Sequence, residues 1–255
     1  MFNLLANEQA DVPRLVDLLR SDPALSAQVL TVANSALYGN AQTIDNLGRA
    51  ILVMGFERTR SLTLTVALRS VLQGVRTTRW LTACWQHSLA AALVAEELAP
   101  LYEVTEDGAY TAGLLHDVGR LGLLVAYGDQ YGPVLGSAHN HAADCLKSER
   151  DLFQMDHCQA GFWLAQRWGL PVEYSRVAGC HHDDLMDARP ELTPLSHVAC
   201  RLADALGFAA VTLAQAPSTE EIVRRLPVPP WRRYQFDEDA VKSRIAHQIA
   251  SVEIV

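Results

Sequence analysis

Apolar residues recur along this chain at steps of three and four positions, the spacing that places them on one face of an α-helix. One clear example runs from Leu15 to Leu19, and a second runs from Leu25 to Ala33. No segment shows the sustained alternation of β-branched and polar residues that is typical of strands, and residues 252–255 form too short a run to count. The pattern therefore predicts an all-α protein.

Capping residues, glycines and prolines indicate where the helices begin and end. Residues 21–24, Ser-Asp-Pro-Ala, are typical of a helix start, because a proline in the first turn lacks only an N–H that would have no partner there. Further helices are predicted over residues 44–54, 58–72, 80–98, 107–116, 147–168, 172–181, 193–206 and 237–252. We expect three glycines to interrupt the stretch after residue 116, namely Gly119, Gly122 and Gly128. We also expect four tryptophans to pack in the core, namely Trp80, Trp85, Trp163 and Trp168.

Composition limits the classes of function. The 255 residues are 49% hydrophobic, which is enough for a sizeable core, and carry a formal net charge of −8. Such an acidic chain does not suit general nucleic-acid binding, which needs clustered Lys and Arg. No uninterrupted apolar run of about 18 residues suggests a membrane span, and the N-terminus lacks the pattern of a secretory signal. Five scattered cysteines predict reduced thiols and a cytoplasmic protein.

Seven residues with metal-ligating side chains lie at separations that suit one helical pocket. Neutral imidazoles combined with carboxylates suit Fe, Mn, Zn or Ni, and two such ions can share a bridging water. The sequence therefore predicts a pocket for one or two divalent metal ions. The seven candidate ligands are His87, His116, Asp117, His157, His181, His182 and Asp204.

The adjacent pair His116 and Asp117 imposes a geometric condition. Neighbouring side chains on a helix diverge by roughly 100°, so both can face one ion only where the helix ends. Gly119 directly after the pair fits such an end, and His181 with His182 presents the same condition. We expect both pairs to lie at helix ends.

Several segments together resemble the HDOD domain, the HD-related output domain of bacterial signalling proteins. In the first half these are Asp-Pro-Ala-Leu at 22–25, Asn-Ser-Ala-Leu-Tyr at 34–38 and Met-Gly at 54–55. In the second half they are Trp-Gln-His at 85–87, Gly-Leu-Leu-His-Asp-Val-Gly-Arg at 113–120, Asp-His at 156–157, Trp-Gly-Leu-Pro at 168–171 and the His pair at 181–182. The resemblance extends from about residue 10 to 207.

The resemblance implies two helical lobes, the second an HD-superfamily-like helical core. We expect an N-terminal lobe at 1–75, an HD-like lobe at 76–207 and a C-terminal helical extension at 208–255. Members of this family are usually non-enzymatic signalling outputs attached to other modules, so the chain resembles a stand-alone HDOD protein or a piece of a longer one. HD enzymes imply His87, His116, Asp117 and Asp204 as metal ligands, and the related HD-GYP phosphodiesterases add His157, His181 and His182.

Two departures from the HD-GYP pattern argue against catalysis. Arg120 stands where that pattern has Lys, and a planar guanidinium replaces a point charge poorly. The Gly-Tyr-Pro loop after the His pair is missing, and the acids at 183, 184, 187 and 191 would repel a dinucleotide.

Three functions follow as hypotheses. The leading one is a signalling output module that binds a partner protein or a small ligand without efficient turnover. The alternative is a metal-dependent HD-type phosphohydrolase acting on a nucleotide or cyclic dinucleotide. A third is a homodimeric scaffold that uses the segment after residue 230 as an interaction helix.

Overall fold

The computed structural model describes residues 1–6, 11–34, 43–72, 78–137, 139–140, 144–183, 191–228 and 234–253. Within these ranges the chain is helical, without strands, and one isolated bridge pairs His139 with Leu213. The all-α prediction is confirmed. The helices are α1 (Phe2–Ala6), α2 (Val12–Ser21), α3 (Pro23–Ala33), α4 (Leu47–Met54), α5 (Phe56–Leu72), α6 (Arg79–Leu98), α7 (Glu106–Leu115), α8 (Val118–Gly136), α9 (Cys145–Phe153), α10 (His157–Arg167), α11 (Val172–Cys180), α12 (Leu192–Ala205), α13 (Thr219–Arg224) and α14 (Glu238–Glu253).

Side-chain caps fix the starts of several helices. Asp22 accepts a hydrogen bond from Leu25 N at 3.0 Å and places Pro23 in the first turn of α3, as the sequence predicts. Thr78 caps α6, and Thr105 caps α7 in the same way. Each cap satisfies a backbone N–H that has no partner inside its helix.

The second half of the chain is built around α6. This helix packs against α7, α8, α12 and α14. Its run of alanines permits close approach, and a Cβ added at Gly113 of α7 would lie 2.6 Å from Ala91 O. The α14 helix buries Val241, Ile245 and Ile249, so the apolar face of the predicted interaction helix is used within the chain.

The first helices form a smaller group, in which α5 packs on α1, α3 and α4 and also reaches α7. This arrangement is compatible with two lobes, but the division at residues 75 and 207 stays a prediction. Residues 35–40, which carry part of the resemblance, lie outside the described residues. No helix in the part of the chain that the structure describes is long and apolar enough to cross a membrane.

Three expectations about local structure are wrong. The predicted helix over 147–168 is two helices, α9 and α10, separated at Gln154, whose φ of 60° is left-handed. Of the glycines expected to interrupt the stretch after residue 116, Gly119 and Gly122 lie inside α8 without a break, whereas the helix bends at Tyr127, directly before Gly128. Trp163 is 62% exposed, whereas Trp85 is buried as expected.

Candidate metal centre

The His-Asp pair lies at the junction of two helices. The α7 helix ends at Leu115, His116 follows it, and Asp117 has φ −106° and ψ 19° before α8 begins at Val118. This turn lets both side chains face the same pocket, so the expected helix end is present. His181 likewise follows the last residue of α11. Gly119 serves a different purpose, because a Cβ there would lie 1.9 Å from His157 O.

Four buried histidines are held in one orientation by hydrogen bonds from Nδ1. Every acceptor is an oxygen that can only accept, so each Nδ1 carries the proton and each Nε2 carries a lone pair. Metal-binding histidines are typically oriented in this way. The four bonds are His87 to Phe208 O (2.8 Å), His116 to Gly113 O (2.6 Å), His157 to Glu149 Oε2 (2.7 Å) and His181 to Ala178 O (3.2 Å).

The Nε2 atoms of these histidines converge with Asp117. His87 Nε2 and His116 Nε2 are 3.2 Å apart. His157 Nε2 and His181 Nε2 each lie 3.4 Å from Asp117 Oδ1. Asp117 Oδ1, His157 Nε2 and His181 Nε2 are buried without a hydrogen-bond partner, which is costly unless a cation or other group satisfies them. These donors fit a divalent ion.

Two of the seven predicted ligands are placed differently. Asp204 Oδ1 lies 3.5 Å from His87 Nδ1, the edge of the ring that faces away from the other Nε2 atoms. Burial raises the pKa of Asp204 above its usual value, although His87 opposes that rise. His182 is half-buried beside His181, and its Nε2 accepts a long hydrogen bond from Arg120 Nη2 at 3.4 Å. His182 also belongs to a group of ligand atoms, with His157, Cys158 and His181, that lie within 4.8 Å of one another.

Arg120 is the central cation of the pocket and is fully buried. Its Nε donates to Asp117 Oδ2 at 2.8 Å, and its Nη1 lies 3.3 Å from Glu149 Oε1, 3.3 Å from Tyr131 OH and 2.9 Å from Cys145 Sγ. Burial alone would raise the pKa of Asp117, but the Arg120 guanidinium, together with His157, His181 and His116, outweighs burial and holds that pKa well below its usual range. Asp117 is therefore a carboxylate.

Comparisons with known proteins place the chain in a family. A model of the HDOD domain matches residues 1–184. The chain belongs to the HDOD family. The crystal structure of an HDOD domain protein with unknown function from Geobacter sulfurreducens covers 99% of this chain and 88% of its own, at 23% identity and a TM-score of 0.69. This likeness concerns the fold.

Two further relatives have somewhat higher identity. The MmoQ response regulator from Methylococcus capsulatus is 25% identical, with 88% of each chain covered and a TM-score of 0.50. An "Uncharacterized protein" of Treponema pallidum is 27% identical over 201 residues, which are 75% of this chain. The HDOD chain spans 37% of the length of that Treponema protein.

Three side chains of the HDOD pocket are not among the sequence-predicted ligands. Glu149 orients His157, and Cys158 and Cys200 join groups whose ligand atoms lie within 4.8 Å of one another. The sequence positions of both cysteines could have indicated that they lie near the site, since Cys158 follows His157 and Cys200 precedes Asp204 by one helical turn. Glu149 had no such signal, because its contact crosses from α9 to α10. The two groups are His157, Cys158, His181 and His182, and His87, His116 and Cys200.

A cavity of about 740 Å³ opens beside this pocket. Its walls include His182, Asp204 and Cys200, so a ligand in it would lie next to the candidate metal site. Arg201 and Arg225 line the same cavity. Of the four acids predicted to repel a dinucleotide, Asp183 and Glu191 are exposed. The acids at 184 and 187 fall in the segment 184–190, which lies outside the described residues.

Proposed function

We propose that this HDOD chain is a regulatory output module of bacterial signal transduction that holds one divalent ion and has no efficient phosphohydrolase activity. Its output is the binding of a signalling protein or a small ligand. Membership in the HDOD family supports the regulatory role. The likeness to a response regulator, which covers 88% of that chain, points in the same direction.

The observation that carries the proposal is the position of Arg120. Two-metal hydrolysis needs two ions about 3.5–4 Å apart that stabilise the attacking and leaving oxygens. Asp117 would be the natural bridge between them, yet its Oδ2 accepts from Arg120 Nε and only Oδ1 faces His157 and His181. A guanidinium stays protonated and cannot lower the pKa of a bound water as a metal does. We infer that this protein cation occupies the place of the second ion.

The phosphohydrolase alternative draws support from the cavity. Arg201 and Arg225 can bind phosphate oxygens with charge-assisted hydrogen bonds, and Asp204 and His182 lie on the same wall. A nucleotide or cyclic dinucleotide bound there would lie beside the ion. The alternative therefore deserves a direct test.

The test combines metal analysis with an activity assay. Protein purified without chelator or histidine tag is analysed for metals, supplied with Mn²⁺ or Fe²⁺, and incubated with cyclic di-GMP while products are separated by chromatography. We expect no turnover within the range of about 1 to 1000 per second that is usual for enzymes. Asp117→Ala should instead lower the free energy of unfolding by about 3–5 kcal/mol, because Arg120 loses its buried partner.

The control variant is Asp17→Ala, at an exposed position of α2, and it should leave stability nearly unchanged. Turnover in the enzymatic range that Asp117→Ala abolishes would overturn the output-module proposal in favour of the alternative. Hydrolysis that persists in Asp117→Ala would indicate a contaminating enzyme.

A further inference from the structure

Cys200 lies in direct contact with the histidine pair of the pocket. Its Sγ is 3.5 Å from His87 Nε2, which in turn is 3.2 Å from His116 Nε2. The three ligand atoms lie within 4.8 Å of one another, and all three residues are buried. The cysteine therefore belongs to the pocket.

The two imidazoles present lone pairs to each other. His87 donates its Nδ1–H to Phe208 O and His116 donates its Nδ1–H to Gly113 O, so neither Nε2 of the neutral rings has a hydrogen to share. Two lone pairs at this distance repel unless a cation lies between them. The arrangement is that of two ligands around an ion.

The distances match a tetrahedral ion with one sulfur ligand. Zinc bonds of about 2.0–2.1 Å to nitrogen and about 2.3 Å to sulfur give ligand separations of about 3.3 Å for nitrogen to nitrogen and about 3.6 Å for nitrogen to sulfur. The structure has 3.2 Å and 3.5 Å for the corresponding pairs. His87, His116 and Cys200 can thus supply three corners of the tetrahedron, since their ligand atoms all lie within 4.8 Å of one another, and water can supply the fourth.

Asp204, the carboxylate implied by the HD resemblance, does not occupy this place. Cys200 and Asp204 are four residues apart on α12 and share one face of that helix. Asp204 meets His87 at Nδ1, the edge that already donates to Phe208 O, whereas Cys200 meets it at Nε2. The sulfur faces the lone pair, whereas Asp204 Oδ1 lies beside the opposite edge of the ring, where it is buried without a hydrogen-bond partner.

We propose that Cys200 is a metal ligand of this chain and, with His87 and His116, forms a sulfur-containing site that selects zinc-type ions over Mg²⁺ and Mn²⁺. The proposal rests on the proposed single-ion pocket and names its ligands. Thiolate sulfur favours softer ions, while Mg²⁺ and Mn²⁺ favour oxygen. On binding, the sulfur–ion bond forms and the thiol proton passes to solvent.

Cobalt substitution tests the ligand directly. The full chain is stripped of metal, loaded with Co²⁺ and examined by absorption spectroscopy, in which a thiolate ligand produces a near-ultraviolet sulfur-to-cobalt charge-transfer band. We expect the band in the wild type and in Asp204→Asn, and we expect Cys200→Ser to lose it. Cys180→Ser is the matched control and should keep the band, because this half-buried thiol joins none of the groups of ligand atoms found among the described residues.

A second measurement needs no variant. X-ray absorption at the zinc edge of the zinc-loaded wild type should show one sulfur at about 2.3 Å together with nitrogen or oxygen ligands. A folded wild type without a sulfur ligand, or a Cys200→Ser protein that keeps the full cobalt band, would overturn the proposal. Loss of the band in Cys158→Ser but not in Cys200→Ser would also overturn it, by moving the ion to His157 and His181. Hydrolysis of cyclic di-GMP would contradict the proposed function but would leave this ligand assignment intact.

Discussion

At the scale of single residues, Glu149 is a buried carboxylate that orients the candidate metal ligand His157. It accepts from His157 Nδ1 and also from His157 N at 2.8 Å, so it fixes both the ring and the first residue of α10. Burial would raise the pKa of Glu149, but His157 and Arg120 outweigh this effect and hold the pKa below its usual range. Glu149 thus remains charged in the fully buried interior.

Glu149→Gln keeps the shape of this side chain and removes its charge. We expect the free energy of unfolding to fall by about 3–5 kcal/mol, because Arg120 loses a buried ionic partner and His157 Nδ1–H loses a charged acceptor. Urea unfolding of protein kept in chelator measures the loss without any contribution from metal binding. Glu220→Gln is the control, since Glu220 is 74% exposed and its pair with Arg224 should contribute less than about 1 kcal/mol. Equal small losses in both variants would show that the buried charge is not needed.

The sequence could single out candidate ligands but could not orient them. Residue type and spacing indicate His87 and His116 as candidates. The carbonyl oxygens that accept from their Nδ1 atoms and so fix their tautomers, Phe208 O and Gly113 O, cannot be predicted from the sequence. Cys200 and Asp204 share a face of α12, so periodicity could not decide which of them meets His87 at Nε2. That choice depends on how α12 is rotated against α6, which is a tertiary property.

At the scale of helices, glycine sets the contact between α8 and α10. A Cβ at Gly119 would lie 1.9 Å from His157 O and 2.6 Å from Gly161 N, so the two backbones approach as closely as glycine allows. This contact positions the start of α10, where His157 lies. In the sequence the same glycine indicates only a helix end, because its role depends on a partner helix.

Gly119→Ala should therefore destabilise the protein by about 3 kcal/mol or more, because backbone atoms cannot move aside as a flexible side chain can. Gly128→Ala, in the same helix, has no atom within 4 Å of the added Cβ and should stabilise the protein by about 0.5–1 kcal/mol. Denaturant midpoints of the two variants provide the comparison. Similar effects from both changes would contradict the proposed role of the close contact.

A capping motif marks the boundary between α9 and α10, although the apolar periodicity continues across it. Asp156 accepts from Gln159 N, and Gln159 Oε1 accepts from Asp156 N, which together form a capping box. Asp-x-x-Gln at 156–159 is present in the sequence, yet apolar spacing continues across it and suggested one helix. The cap placed His157 at a helix start, which spacing alone did not indicate.

At the scale of the whole molecule, one buried arginine joins the two groups of helices. Arg60 of α5 donates to Leu5 O at 2.6 Å, pairs with Glu57 at 2.9 Å and forms an ion pair with Asp107 of α7. Arg60 is 1% exposed. The contact therefore connects the N-terminal helices to the helix that leads to His116.

Asp107→Leu should lower the free energy of unfolding by about 3–5 kcal/mol, because it leaves the Arg60 guanidinium buried beside an apolar group. Combining it with Arg60→Met should restore part of the loss. Thermal unfolding followed by calorimetry should show one transition that moves as a whole. Two transitions, of which only one moves, would contradict this coupling and would support independent folding of the predicted lobes at 1–75 and 76–207.

The fold as a whole was more predictable than its site. Helical periodicity and the segments that resemble HDOD domains sufficed for the all-α class, because every helix buries an apolar face whatever its neighbours are. Packing of Arg60 and Arg120 in the interior was not predictable, since a charged residue is buried only when distant partners meet it. Trp163 is the opposite case, an apolar side chain whose helical spacing suggested burial and which the fold leaves at the surface.

Arg120 makes part of the charge in this pocket independent of the metal supply in the cell. Its positive charge belongs to the polypeptide itself, so no chelator, competing metal or shortage of iron or zinc can remove it. Arg120 compensates Asp117 within a single turn and compensates Glu149 once α8 and α9 pack together, without any bound ion. A protein with two exchangeable ions in this pocket would change its charge with every change in metal supply, whereas this one keeps half of the pocket constant.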